Sequence, residues 1–242
     1  MLTVLLYISR SLSKDLLGDF GKALKKIDPE SYDSLSENKS RLIKDILHLH
    51  PGLKIISKTP TARAYELVVA TFDPKKDFSV KYKSTKDCVK FCQTRNDGDN
   101  NISIFHTPER KKDKVIKNVN ELIQDYFHPS GKCRVCGNPK KFIVECENPP
   151  LIIAVDPASS TNFLPAMENI SVLGNAYTLF AVAYNKEDNH FIALIKFDGK
   201  ILKYDGLTDD GRLSNYDNDK FSSYLENTKV KAVLYWYRRL II

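Results

Sequence analysis

Two groups of residues have types and spacings that could do chemistry. The first is His190 and Asp205, which bound the stretch HFIALIKFDGKILKYD. Asp198-Gly199 lies between two runs rich in β-branched and aromatic residues, and Asp-Gly in that setting predicts a hairpin with a type I′ turn. With a two-residue loop, Phe197 pairs with Lys200 and Ile192 pairs with Asp205. His190, two positions from Ile192, then shares a face with Asp205. Diagonal neighbours on such a face lie about 7–8 Å apart at the backbone. Asp205 can therefore accept from the imidazole N–H of His190, which fixes one tautomer and leaves the other ring nitrogen as a base. Taken alone, the same pattern also describes a surface His beside a turn.

The second group is cysteine. Cys88 and Cys92 are spaced C-x3-C, and Cys133 and Cys136 are spaced C-x2-C within Lys-Cys-Arg-Val-Cys-Gly. Four thiolates from two short knuckles satisfy tetrahedral zinc and close the site, as structural zinc does. Gly137 lets the chain turn back so that backbone N–H groups face the sulfurs. The first pair is the less usual spacing, and a helical turn produces it for packing reasons alone. The other reading is a degenerate knuckle with free, partly buried thiols. The fifth cysteine, Cys146, sits between Glu145 and Glu147. Acidic neighbours raise a thiol's pKa, so Cys146 reads as a strand residue, neither ligand nor nucleophile.

The elements that must position these groups change along the chain. The first third reads helical. Leu12, Leu16, Leu17, Phe20, Leu24 and Ile27 recur at helical spacing up to Pro29, with Gly18 and Gly21 weakening the middle. A second amphipathic segment covers Lys39 to His48 and ends at Pro51-Gly52. A third starts after Thr59-Pro60, where Thr can cap and Pro can occupy the first turn, and stops before Pro74. Short β-like pieces are expected around 80–82 and 102–105, with a polar Asn/Asp/Gly loop at 96–101 between them. A helical or extended segment with Val115, Ile116, Val119, Leu122, Ile123 and Phe127 follows. From Phe142 onward, strands are expected at 142–146, 151–155, 177–184, through the hairpin and at 230–237, with a short helix at 218–226. The fold class is α+β: helices first, an inserted cysteine-bearing lobe, then a mainly antiparallel sheet.

Composition narrows the partners. With 242 residues the chain can bury a sizeable core. No apolar run approaches the roughly 20 residues that span a bilayer. MLTVLLYISRSL lacks a basic start and a small-residue cleavage site, so no signal peptide is expected, and Asn169-Ile170-Ser171 is not read as a glycosylation site. Paired cysteines without an export signal suggest a reducing compartment, cytoplasmic or nuclear. The net charge of +7 permits an acidic partner without requiring one. The local cluster of Arg110, Lys111, Lys112 and Lys114 has no aromatic interleaving. It reads as a solvated segment, and a basic zinc-ribbon protein binding nucleic acid is the weakest of the readings.

In this order, the features resemble the ubiquitin-specific protease family. Its fold is a papain-like cysteine protease with a helical thumb, zinc-ribbon fingers and an antiparallel β palm. The family's two knuckles are separated by roughly forty residues, and here Cys92 and Cys133 are 41 apart. The apolar strand entered through proline has its counterpart in Cys146-Glu-Asn-Pro-Pro-Leu-Ile-Ile-Ala-Val155. The strand before the family's catalytic His resembles Tyr177-Thr-Leu-Phe-Ala-Val-Ala183. The His-aromatic-x-Ala opening resembles His190-Phe191-Ile192-Ala193, and the third catalytic residue after an aromatic resembles Tyr204-Asp205. The segment 61–67, TARAYEL, is similar to the helix that ends the thumb.

This resemblance implies a thumb-like part over 1–78, fingers over 79–150 with structural zinc on Cys88, Cys92, Cys133 and Cys136, and a palm over 151–242. It implies ubiquitin or a ubiquitin-like modifier as partner, and His190 and Asp205 as members of a Cys-His-Asp triad that hydrolyses isopeptide bonds. The family's nucleophile lies in an Asn-x-Cys-like box on its first helix. No such box exists here, since the first cysteine is Cys88. Leu2–Ser11 resembles the tail of that helix. The expectation is a fragment or a pseudoenzyme, inactive as it stands, because imidazole and carboxylate only activate and orient a thiolate. A non-catalytic ubiquitin-binding or scaffold module is the alternative.

Overall fold

The computed structural model describes residues 2–11, 17, 19–28, 41, 44, 48, 80–88, 94–102, 104–105, 116–128, 131–146, 149–157, 164–187, 190–205, 213–226 and 231–240. For some of these, His190 among them, it describes the backbone alone. The chain divides into two compact units, one from residues 1–78 with 180–224, the other from 79–179 with 225–242.

In the first unit, helix α1 (Leu2–Ser11) buries Leu6, Tyr7 and Ile8, and helix α2 (Asp19–Leu24) buries Leu24. The single helical segment expected over 12–27 is instead interrupted. Leu17 stands in an isolated bridge and is fully buried, and α2 begins at Asp19. Arg10 donates through Nη1 to the Ile27 carbonyl at 2.9 Å, which ties the end of α1 to the turn after α2. Arg41, Lys44 and His48 are helical and exposed, as the polar side of the second amphipathic segment should be. The segment expected to start at Thr59-Pro60 lies outside the described residues.

The hairpin belongs to this unit. Strands β8 (His190–Phe197) and β9 (Lys200–Asp205) pair antiparallel with Phe197 opposite Lys200 and Ile192 opposite Asp205, the register expected from the sequence. Asp198 at φ 50° and Gly199 at φ 72° give the left-handed pair that a type I′ turn requires. Strand β7 (Asn175–Glu187) pairs its 181–187 portion with β8, and β10 (Leu213–Asn215) pairs with β9. Ile192, Ala193, Leu194 and Ile195 are all buried, so both faces of β8 are covered. Tyr7 packs edge-on against Phe197 with ring centroids 5.1 Å apart, which ties α1 to the turn end of the hairpin. Helix α4 (Asn218–Glu226) has the bounds expected. It buries Phe221, over whose ring Lys196 lies at 5.1 Å.

In the second unit, β1 (Val80–Cys88) is the centre of a three-stranded antiparallel sheet, flanked by β2 (Thr94–Ile102) and β4 (Lys140–Glu145). The expected loop at 96–101 is therefore a strand. Its residues pair from Asn96 opposite Thr85 to Ile102 opposite Val80, with a bulge between Lys83 and Thr85. Asn, Asp and Gly disfavour strands, but a ladder to an adjacent strand supplies their backbone groups with partners and overrides that propensity.

Helix α3 (Val119–Phe127) resolves the expected helical or extended segment as a helix. Asn118 caps it by accepting from the Glu121 N–H at 2.9 Å, while the Glu121 carboxylate accepts from the Lys117 N–H at 2.8 Å. Its apolar side buries Val119, Leu122, Ile123 and Phe127, with Phe127 meeting Phe105 and Tyr82 edge-on. Strand β5 (Ile152–Val155) is buried throughout, lying between the parallel β3 (Ile104–Phe105) and the antiparallel β11 (Lys231–Arg239). Strand β6 (Asn169–Val172) pairs with the first residues of β7.

Buried phenols hold the core of the second unit. Tyr177 donates to the Pro150 carbonyl at 2.8 Å and Tyr235 to the Leu164 carbonyl at 2.7 Å, while Tyr237 accepts from the Met167 N–H at 3.4 Å. Burial pushes all three hydroxyls, and that of Tyr184 in the first unit, above the ordinary 10.0. The unfolded chain then loses these protons first as the pH rises, so the folded state holds more protons above pH about 10. Stability is expected to be intact below that pH and to fall as the pH climbs through about 10–12. Thermal melts across that range check it, and Tyr235→Phe should flatten the decline. A flat stability profile to pH 12 would contradict the burial of these groups.

Among the described residues, no helix is long and apolar enough to cross a membrane. The mixed α and β content, with mainly antiparallel pairing, agrees with the α+β class expected.

Candidate functional site

Asp205 ends β9 with its side chain 3 % exposed. Its backbone register aligns it with Ile192 on β8 and, across Ile192, with Tyr184 on β7. Burying a carboxylate is costly without compensation. Part of that compensation is Lys203, two positions earlier on the same strand and face. Its Nζ lies 3.3 Å from Asp205 Oδ2, as an ion pair outside hydrogen-bond geometry. Lys203 is 25 % exposed, so its ammonium keeps contact with water while its stem runs along the sheet. The Tyr184 hydroxyl is pushed up by burial first, then by the Tyr216 phenol and the Asp205 carboxylate. Tyr216 is fixed by its N–H, which donates to the Ile201 carbonyl at 2.8 Å.

His190 opens β8, and the backbone register sets it opposite Glu187 on β7. The backbone thus brings His190 and Asp205 to one end of the hairpin. A buried acid paired with Lys203, next to a strand that opens with His, is an arrangement able to orient and polarise an imidazole.

The other cluster is sulfur. Cys88, the last residue of β1, lies with Cys133 and Cys136 such that their three Sγ atoms are within 4.8 Å of one another. Cys88 and Cys133 are buried and Cys136 is exposed. The turn that carries Cys133 and Cys136 is closed by a Lys132–Pro139 bridge. Three backbone bonds add to it: Lys140 N–H to the Gly131 carbonyl at 2.9 Å, Cys133 N–H to the Asn138 carbonyl at 2.7 Å, and Gly137 N–H to the Cys133 carbonyl at 2.8 Å. Gly137 has φ 71°, the left-handed conformation expected where the chain turns back. Asn138 donates through Nδ2 to Cys136 Sγ at 3.3 Å, a bond that favours a thiolate.

Three converging sulfurs could hold a metal ion. In a tetrahedral zinc–thiolate site the sulfurs stand about 3.8 Å apart, given Zn–S bonds of about 2.3 Å. The cluster fits that size, although the Cys88–Cys136 separation of 3.2 Å must open slightly. Cys92 lies outside the described residues. Cys146 follows β4, half-buried, and is not one of the clustered thiols.

Sequence reasoning passed over Lys203, Tyr184 and Asn138. For Lys203 a signal existed: residues two apart on a strand share a face, so once Asp205 is placed, Lys203 is its neighbour. Asn138 follows Gly137 at the position where a knuckle returns. Tyr184 needed the β7–β8 register, which a bulge between Asn185 and Glu187 hides from the sequence.

No family model matches the chain, and no curated protein matches it. Solved structures with a similar fold exist. One is the SAGA DUB module of Ubp8, Sgf11, Sus1 and Sgf73 bound to monoubiquitin, with TM-score 0.54, 16 % identity, and coverage of 100 % of this chain and 66 % of that one. A second structure of the Ubp8, Sgf11, Sus1 and Sgf73 module gives TM-score 0.53 and 14 % identity, covering 100 % and 65 %. The yeast SAGA DUB module with an Sgf73 mutant gives TM-score 0.50 and 16 % identity, covering 100 % and 65 %. The chain thus spans just under two thirds of the length of the chains it matches. At these identities the likeness is one of fold, and it agrees with the fold type implied by the sequence resemblance.

Proposed function

We propose that the chain is a ubiquitin-specific-protease-like module that binds ubiquitin or a related modifier, with His190 and Asp205 as the base half of a Cys-His-Asp thiol-hydrolase site. The observation that carries this reading is the hairpin register, Ile192 opposite Asp205 on a strand that opens with His190, within a fold similar to that of a DUB module. Asp205, buried and ionised, orients the imidazole and stabilises its protonated form, and the free ring nitrogen acts as the base. In this reading residues 1–78 form the thumb, 79–150 the fingers and 151–242 the palm of one composite papain-like domain, at work in the cytoplasm or nucleus.

The fingers hold structural zinc on Cys88, Cys92, Cys133 and Cys136. Three of these thiols converge, and Cys92 is four residues beyond one of them. Bound zinc supplies a crosslink between β1 and the 131–140 turn, not catalysis. In this reading four of the five thiols bind metal, and the fifth, Cys146, lies between Glu145 and Glu147, whose charges disfavour the thiolate that acyl transfer requires. Residues 1–242 therefore bind the modifier without cleaving it.

Calorimetric titration with monoubiquitin should show binding that survives His190→Ala. Ubiquitin bearing a C-terminal electrophile should leave the chain unlabelled. Covalent labelling overturns the claim that this polypeptide is inactive, and no binding at millimolar monoubiquitin overturns the module itself.

A further inference from the structure

The Asp205 carboxylate has a cationic neighbour that a base-orienting acid does not need. Lys203 Nζ stands 3.3 Å from Asp205 Oδ2, in surroundings that leave the carboxylate 3 % exposed. Charges act more strongly there than at the surface, where most ion pairs contribute little. The arrangement is built into the strand: two residues apart on β9, the side chains emerge from the same face about 6.6 Å apart.

The other charged and titratable groups around Asp205 come from three neighbouring elements. On β7 they are Tyr184, whose hydroxyl remains protonated at neutral pH, and Glu187, set by register opposite His190. On β8 the cation on that face is Lys196, at the turn end of the strand over the Phe221 ring. Next to β10 it is Tyr216. Of the cations named here, Lys203 stands at ion-pair distance from Asp205 Oδ2.

We propose that Lys203 is a positioning residue that competes with His190 for the Asp205 carboxylate, so that His190 is a weaker base than Asp205 alone would make it. The inference rests on the His190–Asp205 reading above. Its physical content is simple. An imidazolium beside a carboxylate is stabilised by the full negative charge, and an ammonium on the same carboxylate offsets part of that charge. Removing the ammonium returns it to the imidazolium and raises the pH at which His190 loses its proton.

The experiment is an NMR titration of the imidazole signals of the full chain. The chain has five His, and His190→Gln identifies the His190 signal by its loss. Lys203→Met is expected to raise the His190 midpoint by about half a pH unit or more, a roughly threefold gain in proton affinity. Lys203→Arg keeps the cation and should leave the midpoint near its original value. Asp205→Asn should lower it. Because Lys203 is partly exposed, Lys203→Gln serves as a second neutral variant if Lys203→Met does not fold, and backbone amide spectra report the fold of each. If Asp205→Asn lowers the midpoint while the neutral Lys203 variants leave it unchanged or lower it, the competition is overturned and the His190–Asp205 reading stands. If Glu187→Gln lowers the midpoint and Asp205→Asn does not, the reading of Asp205 as the partner of His190 falls, and the inference falls with it.

Discussion

Cys133→Ser is expected to abolish stoichiometric zinc binding and to destabilise the three-stranded sheet by at least about 3 kcal/mol. Structural zinc contributes folding free energy directly, because the unfolded chain holds no preformed site. Cys133 has the largest effect for a geometric reason. It is buried, and its N–H and carbonyl both close the turn, to the Asn138 carbonyl and from the Gly137 N–H. Ser keeps these backbone bonds but replaces a soft thiolate with a poor zinc ligand. The loss therefore reports the metal and not the turn. Metal analysis of purified protein gives the stoichiometry, and thermal melts with and without a chelator give the stability. Wild type with chelator should resemble Cys133→Ser, whereas Cys146→Ser should match wild type in both measurements. Unchanged zinc content in Cys133→Ser would remove the cluster from consideration as a metal centre.

Trp236→Ala should cost about 3–5 kcal/mol, the range for emptying a large aromatic site in a packed core. Trp236 is 1 % exposed on β11, opposite Ala154 on β5. Among the described residues the buried indole N–H has no hydrogen-bond partner, so part of the gain from burial is forfeited. Trp236→Phe removes that unmet donor along with one ring. Its cost should accordingly be well below half that of Trp236→Ala. Denaturant unfolding followed by circular dichroism measures both variants, since the chain's one Trp, and with it the usual fluorescence signal, is lost. A Trp236→Phe cost equal to that of Trp236→Ala would mean that the N–H is satisfied in solution.

What was legible in the sequence was what local chemistry decides. The hairpin was read to the residue because Asp198-Gly199 needs two left-handed conformations that few other pairs adopt, and the turn then counts the register outward. The helix at 218–226 and the cluster of Cys88, Cys133 and Cys136 also came from short-range patterns. The misreadings have separate causes. Strand β2 forms against the propensities of Asn, Asp and Gly because its backbone pairs with the neighbouring β1, and Leu17 stands in a bridge so that α2 begins only at Asp19. The Lys203–Asp205 pair was hidden for a different reason: its two residues are close in sequence, but only burial makes their contact matter. Cys92 and the side chain of His190 complete the two clusters in sequence alone.

The polar composition of β2 has a consequence for how the protein behaves in a crowded solution. Among the described residues this strand is at the margin of its sheet, paired with β1. A margin of that kind is a template on which another chain can add itself. The sequence of its middle, Asn-Asp-Gly-Asp-Asn-Asn at 96–101, contains charge and no apolar residue. The residues that disguise this segment as a loop therefore guard against runaway strand addition. Replacing them with Val or Ile would strengthen the strand as a strand and favour association into fibres.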